Sequence, residues 1–230
     1  MRQDKQDKAL GVKTPAYYRQ EAWGKLAWLY DSFMKFVFLP FGGEGRFRKK
    51  FVDFASPEKG EQVMDVCSGT GTLTSLIAER VGSGGKVIGV DLSLNMIKIA
   101  RGRAKFPSVS FQKANSESLP FPENTFDRSF VSLGLHEMPE GARQNTLKEI
   151  YRTLKPGGCL FALDYNLPRG VFARFTIKAF VRLLEEEPTY NMLIDGRLTA
   201  EIEEAGLAIE RRELIYGGMV QMIQARKAQE

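Results

Sequence analysis

Apolar and polar residues follow two alternating rhythms along most of the chain. Short apolar runs, typical of buried strands, are separated by longer segments in which apolar residues recur every three or four positions, as on one face of a helix. Strands that alternate with helices are typical of an α/β fold whose parallel sheet carries helices on both faces. The runs predict strands at 62–67, 86–91, 108–112, 127–133 and 158–164, and the segments between them predict helices near 71–81, 94–105 and 141–154.

The segment before this core has a different pattern. Residues 1–13 are polar, and we expect them to be mobile. Residues 15–55 predict a helical cover, in which an aromatic-rich helix over 15–39 is separated from a helix over 44–55 by a break at 40–43.

After Pro168 the pattern predicts a long amphipathic helix that reaches about Glu187, within a helical insertion over 167–190. Three elements are expected beyond the insertion: a short helix over 199–205, and two strands at 207–215 and 218–226 that Gly217 and Gly218 join as a hairpin. The whole pattern therefore predicts a Rossmann-like α/β fold, with a mostly parallel sheet that ends in an antiparallel hairpin.

Composition narrows the class of protein. The 230 residues are enough for one sizeable α/β domain, and we expect a single domain over 14–230. The net charge of +5, with both signs interspersed, is too small an excess to indicate nucleic-acid binding. The two cysteines, Cys67 and Cys159, are expected to be reduced and offer no metal cluster. Without an apolar run near the roughly 20 residues of a membrane span, or a signal-peptide core, we expect a cytoplasmic protein.

Residues 61–74 carry the clearest chemical signal. An apolar strand runs into a turn that contains Gly69 and Gly71, and helical spacing follows at once. The next strand ends in Asp91, 20 residues after Gly71. Glycines let a ligand approach the backbone, and a carboxylate on the next strand can accept hydrogen bonds from both ribose hydroxyls. This pattern predicts a nucleotide site.

Two residues indicate which kind of nucleotide is bound. Dinucleotide folds require a third glycine, but Thr74 stands at that position. Asp65, at the end of the first strand, would repel a pyrophosphate and suits a cationic group such as the amino group of an amino acid. These features weigh against a NAD-dependent oxidoreductase, which stays the alternative with different chemistry.

The run 65–71 resembles motif I of class I S-adenosylmethionine-dependent methyltransferases, D/E-x-G-x-G-x-G, with Cys67 in place of the first glycine and Ser68 beside it. The run 91–96 resembles motif II. The resemblance implies that Asp91 holds the ribose while Leu92 and Met96 flank the adenine. It also implies S-adenosylmethionine as cofactor and seven strands in the order 3-2-1-4-5-7-6, with the seventh antiparallel.

Two further runs extend the resemblance. Residues 113–122 are similar to the family's G-D-A-E-x-L-P-F-P run, with Asn115 in place of Asp and Ser116 after it. The Asn115 oxygen can still accept a hydrogen bond from the adenine amino group, although a plain turn is the alternative. Residues 154–158 match the L-K-P-G-G turn into strand five, whose role is structural.

One branch of the superfamily fits best, the ubiquinone/menaquinone biosynthesis C-methyltransferases. Residues 27–31 resemble a segment that folds over the cofactor, which assigns Tyr30 to the cofactor site. Residues 131–135 resemble the family's S-F-G-L run and assign Ser132 to the same site. Those enzymes continue with Arg-Asn, whereas this chain has His136-Glu137, and this difference predicts a somewhat different acceptor.

His136 is the only histidine and follows the fourth strand. A neutral imidazole can take a proton near pH 7, so His136 is the candidate catalytic residue. A hydrogen-bonded structural histidine is the alternative. Glu137 is expected to point away, because adjacent residues of an extended strand face opposite sides.

We therefore expect an enzyme that moves a methyl group from S-adenosylmethionine to a small apolar or aromatic acceptor, such as a quinone precursor. A phospholipid amine, a small metabolite or thiol, and a non-catalytic cofactor-binding role are the alternatives. The aromatic 15–39 helix and the cationic helix after Pro168 favour an apolar substrate. They also suggest peripheral contact with a membrane surface, although a plain structural cover would explain them as well.

Overall fold

The computed structural model describes residues 12, 14–18, 39, 42–184 and 187–229, without the side chains of Leu184 and Glu187. Tyr30, most of the expected 15–39 helix and nearly all of the segment 1–13 lie outside this part of the chain. The chain divides into two compact units, Met1–Pro120 and Phe121–Glu230. The single domain expected over 14–230 stays a prediction, and each unit is described by itself.

The first unit alternates helices and strands from α1 to β3. Strand β2 pairs in parallel with both β1 and β3, as the pattern predicts. Phe111 of β3 packs with Ile97 and Ala100 of α3 to form one cluster of the core. The elements are α1 (Glu44–Ala55), β1 (Gln62–Val66), α2 (Thr72–Val81), β2 (Lys86–Asp91), α3 (Leu94–Arg103) and β3 (Val109–Lys113).

The second unit contains the remaining strands and a group of helices between β5 and β6. Strands β4 and β5 are parallel, while β7 runs antiparallel to both β5 and β6. The expected hairpin is confirmed, with a 3₁₀ turn at Tyr216–Gly218 between its strands. The elements are β4 (Phe126–Ser132), α4 (Glu140–Thr153), β5 (Leu154–Tyr165), α5 (Val171–Leu184), α6 (Glu187–Asp195), α7 (Leu198–Glu204), β6 (Leu207–Ile215) and β7 (Val220–Lys227).

The strands form one seven-stranded sheet in the order β3-β2-β1-β4-β5-β7-β6. This order confirms the Rossmann-like fold class and the arrangement that the family resemblance implied. Within the described ranges, the helices are all too short or too polar to cross a membrane.

One expected strand boundary is wrong. Strand β5 begins at Leu154, four positions before the expected start, because Leu154 already pairs with Phe126 of β4 and an irregularity in the register separates this pair from the next one at Cys159. The helix expected from Pro168 to about Glu187 corresponds to α5, which the structure describes over Val171–Leu184, whereas α6 lies almost entirely beyond it and was not expected.

Candidate functional site

The turn between β1 and α2 has three residues with positive φ: Cys67 (58°), Gly69 (53°) and Gly71 (79°). Gly71 is required by packing, since a Cβ there would come within 2.6 Å of the Phe111 ring. At Gly69 a Cβ would meet nothing within 4 Å. Cys67 occupies the position of the motif's first glycine, and its left-handed backbone explains why glycine is suited to it.

Asp65 and Thr74 form a buried pair at the base of this turn. The Thr74 hydroxyl donates to Asp65 Oδ2 at 2.6 Å, and both residues are buried. Thr74 occupies the position where dinucleotide folds have a third glycine, and the structure shows that its hydroxyl binds Asp65 there. Burial raises the pKa of Asp65 to about 7, with a smaller contribution from Asp91, while Thr74 and Arg48 oppose the shift. The assignment of Asp65 to the amino group of a ligand stays a prediction.

Asp91 joins the turn after β1 to the turn after β2. Its Oδ2 accepts a hydrogen bond from the backbone N–H of Gly69 at 2.9 Å, and its Oδ1 accepts one from Ser93 at 2.8 Å. Burial raises its pKa, although these backbone donors oppose the shift. Asp91 is only half-buried, and a carboxylate has about four lone-pair sites, so it keeps acceptor capacity for a ligand hydroxyl.

The first turn of α3 holds the other motif II residues. Ser93 is the N-cap, and its hydroxyl accepts a hydrogen bond from the Met96 backbone at 3.4 Å. Met96 is buried and Leu92 is half-buried. The helix start thus places the two apolar side chains on either side of the cap in the same turn as Asp91, while their contact with adenine stays a prediction.

Asn115 closes a tight turn after β3. Its Oδ1 accepts a hydrogen bond from the Glu117 backbone at 3.1 Å, and it bridges to Ser118. The oxygen expected to receive the adenine amino group therefore already has one partner, and its second lone pair is the one a ligand would use. Ser116, within the same turn, is half-buried.

Tyr17 is a residue that the motif comparison missed. Its hydroxyl donates to Glu117 Oε1 at 2.7 Å, which ties the N-terminal segment to the turn after β3. Burial and the hydrogen bond to Glu117 raise the Tyr17 pKa, and a Coulombic interaction with Cys67 adds to the shift. No local pattern could have indicated this pair, because the two residues are 100 positions apart.

The first unit offers several groups that fit a cationic nucleoside. Ser68 Oγ is buried and has no hydrogen-bond partner among the described residues, so it is available to a ligand donor or acceptor. Gly69 leaves open space at the turn, and the carboxyl groups of Asp65 and Asp91, whose pKa values are raised, lie nearby, where a cationic ligand would favour their ionised forms. This donor and acceptor set fits S-adenosylmethionine, in which a ribose diol accompanies positive charge on the amino acid portion.

A second polar cluster lies within the second unit. His136 Nδ1 is 2.6 Å from Asp164 Oδ1, and the His136 backbone N–H donates to Asp164 Oδ2 at 3.2 Å. Both side chains are buried, with 2% and 1% of their surface exposed. Asp164 lies near the end of β5, and His136 lies in a turn four residues beyond β4. Asp164 was not predicted from the sequence, although a carboxylate at a strand end was the available signal.

Aromatic and helical elements surround the His136–Asp164 pair. The Tyr165 ring lies 4.7 Å from the imidazole and 6.3 Å from the Phe180 ring of α5. The Thr189 hydroxyl of α6 donates to the His136 carbonyl at 3.3 Å. Helix α6 thus contacts the histidine turn directly through Thr189, and α5 contacts it indirectly, because Phe180 packs on Tyr165. Glu137 is exposed, as expected, although it lies in a turn and not on a strand.

Ser132 is the last residue of β4 and is buried. Its hydroxyl oxygen has no hydrogen-bond partner in the part of the chain that the structure describes. Leu133, which follows it, has a positive φ of 54°, and its N–H donates to the Leu163 carbonyl of β5 at 2.8 Å. The backbone therefore turns sharply after Ser132, and this turn leads to His136.

The first unit thus holds together Asp65, the 67–71 turn, Asp91 and Asn115, whereas Ser132 and His136 lie in the second unit. Tyr30 lies outside the described residues. Of the residues assigned from motifs, those of the first unit form a connected set, and Thr74 and Tyr17 join them.

Comparison with known proteins gives consistent matches. Residues 15–186 match the model of the ubiE/COQ5 methyltransferase family. The chain is 33% identical over 201 residues to an uncharacterized methyltransferase of Synechocystis sp., which covers 86% of this chain and 91% of that protein. It is 37% identical over 175 residues to a demethylmenaquinone methyltransferase of Anoxybacillus flavithermus, which covers 75% of this chain and 70% of that protein.

Solved structures support the fold. A SAM-dependent methyltransferase from Aquifex aeolicus superimposes with a TM-score of 0.63 at 22% identity, over 78% of this chain and 88% of that one. A putative methyltransferase from Haloferax volcanii, solved with its Trm112 activator, gives a TM-score of 0.68 at 16% identity, over 93% and 99% of the two chains. At these identities the likeness concerns the fold alone.

Proposed function

The chain belongs to the ubiE/COQ5 methyltransferase family and uses S-adenosylmethionine, and from this premise we propose that it methylates a ring carbon of an apolar aromatic acceptor that carries a hydroxyl group. The quinol form of a demethylated quinone is such an acceptor. The single observation that carries the proposal is the buried His136–Asp164 pair, because it is built to accept a proton.

The tautomer of His136 follows from its partner. An ionised carboxylate only accepts hydrogen bonds, so Nδ1 must be the donor to Asp164 and Nε2 must carry the lone pair. A second carboxylate contact, to the backbone N–H of the same histidine, fixes the ring relative to its own main chain. This arrangement orients the imidazole as a general base, the role that Asp fulfils for His in hydrolytic triads.

Proton removal has a defined use in this reaction. The acceptor hydroxyl gives its proton to His136 Nε2, and the electron pair left on oxygen raises electron density at the neighbouring ring carbon. That carbon forms the new bond to a methyl group, which S-adenosylmethionine supplies as its sulfonium becomes a neutral sulfide. The methylated carbon then loses its hydrogen as a proton to solvent, the ring becomes aromatic again, and the proton held by His136 returns to the ring oxygen.

Two observations support an apolar acceptor. The relatives include proteins named demethylmenaquinone methyltransferase, at 37% identity. The Tyr165 ring lies beside the imidazole, tilted by 42°, and the Phe180 ring meets Tyr165 edge to face, so the surroundings of His136 are aromatic. A phospholipid amine would need no proton acceptor of this kind once its nitrogen is neutral.

The test is a comparison of acceptors with the full-length protein. Purified chain and methyl-labelled S-adenosylmethionine are incubated with a short-chain demethylmenaquinol, its oxidised quinone, phosphatidylethanolamine or a small thiol. We expect label in the quinol product only, because the oxidised quinone has no hydroxyl proton to give. Label in phosphatidylethanolamine or the thiol, with none in the quinol, would overturn the proposal.

A further inference from the structure

The helix α5 (Val171–Leu184) has one face that belongs to the core of the second unit. Ile177 and Val181 are 5% and 0% exposed, and they form a cluster with Leu193 of α6. Tyr165 and Phe180 pack against this cluster. The inner face of α5 therefore packs against the core of the second unit, and the fold does not require the side chains of its outer face to be apolar.

The opposite face of α5 presents large apolar side chains to solvent. Phe172 is 82% exposed, Phe175 71% and Leu183 82%, and Val171 at the helix start is 86% exposed. Their spacing of three and eight residues places Phe172, Phe175 and Leu183 along one side of the helix. Four of the seven large apolar side chains that are exposed in the described chain thus lie on this one helix. A contiguous exposed apolar patch of this kind marks an interaction site.

A row of cations runs beside the apolar residues. Arg174, Lys178 and Arg182 recur at every fourth position, so they lie above one another along the helix. Among the described residues, neither Arg174 nor Lys178 forms an ion pair, whereas Arg182 lies over the Tyr190 ring at 5.9 Å. The outer surface of α5 therefore combines exposed apolar side chains with a row of cationic side chains.

We propose that the outer surface of α5, formed by Val171, Phe172, Phe175 and Leu183 with the adjacent cations Arg174, Lys178 and Arg182, binds the surface of an anionic lipid bilayer. An amphipathic helix with this composition lies in the interface plane, with apolar side chains among the acyl chains and cations at the headgroups. A helix of 14 residues is too short to span a bilayer but long enough to lie along it.

Charge distinguishes this occupant from a second copy of the chain. In a two-fold symmetric dimer the same patch faces itself on both subunits, and antiparallel packing of two α5 helices across an axis perpendicular to them would bring the two cation rows together. An anionic bilayer instead offers a phosphate layer to the cations and an acyl layer to the aromatic residues. The proposal does not depend on which acceptor is methylated, and its test measures binding and not turnover.

The test is flotation of the full-length protein with lipid vesicles. Vesicles of phosphatidylcholine containing about one third phosphatidylglycerol are compared with vesicles of phosphatidylcholine alone, at low and high salt. We expect the protein to float with the anionic vesicles, and the bound fraction to fall at high salt because the charge contribution is screened. Absence of binding to anionic vesicles, or equal binding to neutral ones, would overturn the proposal.

Two surface variants and two matched controls locate the contact. Phe172→Ser with Phe175→Ser should abolish flotation, and Arg174→Gln with Lys178→Gln should weaken binding about 30-fold, since each basic residue near an anionic surface contributes about fivefold. Leu214→Ser, an exposed apolar position on β6, and Lys59→Gln with Lys86→Gln, exposed lysines of the first unit, should bind like the unchanged protein.

Because Phe172, Phe175, Arg174 and the control residues are exposed and Lys178 is half-buried, the variants should unfold close to the unchanged temperature, which circular dichroism checks. Flotation that survives the phenylalanine changes would contradict the proposal. So would a dimer in the absence of lipid that dissociates on the same changes, because this result would assign the surface to a second copy of the chain. The size of the particle is measured by light scattering over a range of protein concentrations.

Discussion

Asp65 is a carboxyl group buried at the base of the cofactor turn, and burial makes its stability contribution depend on pH. Its raised pKa, about 7, means that the folded protein holds a proton that the unfolded chain releases above about pH 4. The stabilisation is therefore complete below pH 4 and is lost as the pH rises through 7. Between pH 5 and pH 8, we expect Asp65 to lower the free energy of unfolding by about 2–3 kcal/mol.

Asp65→Asn should remove this pH dependence, because the amide is neutral at every pH and can still accept the hydrogen bond from Thr74. Urea unfolding at pH 5 and pH 8 measures the slope. The matched control is Asp195→Asn, at an exposed carboxylate, which should leave the slope unchanged. Parallel pH profiles for Asp65→Asn and the unchanged protein would show that Asp65 is ionised in the fold.

Asp91 is the residue on which the ribose assignment depends. We predict that Asp91→Ala weakens S-adenosylmethionine binding by about 1.5–3 kcal/mol, the range for hydrogen bonds to a charged group. Isothermal titration calorimetry measures the affinity. The same change removes acceptors from Gly69 and Ser93, so the folded fraction is checked by circular dichroism.

Ser93→Ala is the control for that measurement. It removes the N-cap of α3, with an expected loss of stability of about 1 kcal/mol, but leaves the Asp91 carboxylate in place. We expect its affinity for the cofactor to stay close to that of the unchanged protein. If Asp91→Ala and Ser93→Ala weaken binding equally, Asp91 acts on the helix start and not on the ribose.

His136 and Asp164 should act as a unit in turnover. General-base catalysis typically contributes about 100- to 10,000-fold, and we expect losses in this range for His136→Ala. Asp164→Asn should also lower turnover, because the amide can donate to Nδ1 and so favour the wrong tautomer. Both variants should bind S-adenosylmethionine nearly normally, which calorimetry tests.

His136→Gln distinguishes proton transfer from hydrogen bonding. Glutamine can orient an acceptor but cannot take its proton near pH 7, so this variant should be almost as slow as His136→Ala. Normal turnover by His136→Ala would mean that the pair is structural, a role with which its deep burial is also compatible.

Among the elements, those with strong local signals were predicted closely. The bounds of β2 and β6 agree with the sequence pattern. Strand β2 is an apolar run with a polar residue at each end, and β6 lies between Gly206 and the turn at Tyr216–Gly218. The beginning of β5 at Leu154 was not predicted. Pro156 and two glycines favour a turn locally, and only pairing with Phe126 of β4 shows that the strand has already begun.

Those residues of the candidate site that belong to local motifs were predictable from the sequence. Residues whose partners lie far away along the chain were not. Glycine spacing and strand-end carboxylates identified Gly71 and Asp91 from the sequence. Asp164 was missed because its partner is 28 positions away, and no periodic pattern records which side chains meet across a sheet. Thr74 was noticed only as an absent glycine, since its hydrogen bond to Asp65 depends on how α2 packs on β1.

The α5–α6 insertion should become less mobile when the acceptor binds. Thr189 and Phe180 connect these helices to the surroundings of His136, so an acceptor that contacts the histidine should stabilise them. Hydrogen exchange measures the change, and we expect slower exchange in 171–195 with the cofactor product and acceptor bound. Helix α1 is the internal control, and exchange there should change much less. Identical exchange in 171–195 with and without ligands would show that the insertion is a fixed cover.

For the molecule as a whole, the fold and the family membership support different conclusions about function. The seven-stranded sheet is shared with solved methyltransferases at 16–22% identity, so it constrains the chemistry only loosely. Family membership assigns methyl transfer, whereas the proposal of a hydroxylated aromatic acceptor rests on the His136–Asp164 pair of this chain.

The most direct test of this account is transfer of a deuterated methyl group. The full-length protein is incubated with deuteriomethyl-labelled S-adenosylmethionine and a reduced short-chain demethylmenaquinol, and the product is analysed by mass spectrometry and NMR. The account predicts a product heavier by one labelled methyl group that is bound to a ring carbon, and loss of this product with His136→Ala. A product labelled on oxygen, or unchanged yield with His136→Ala, would contradict it.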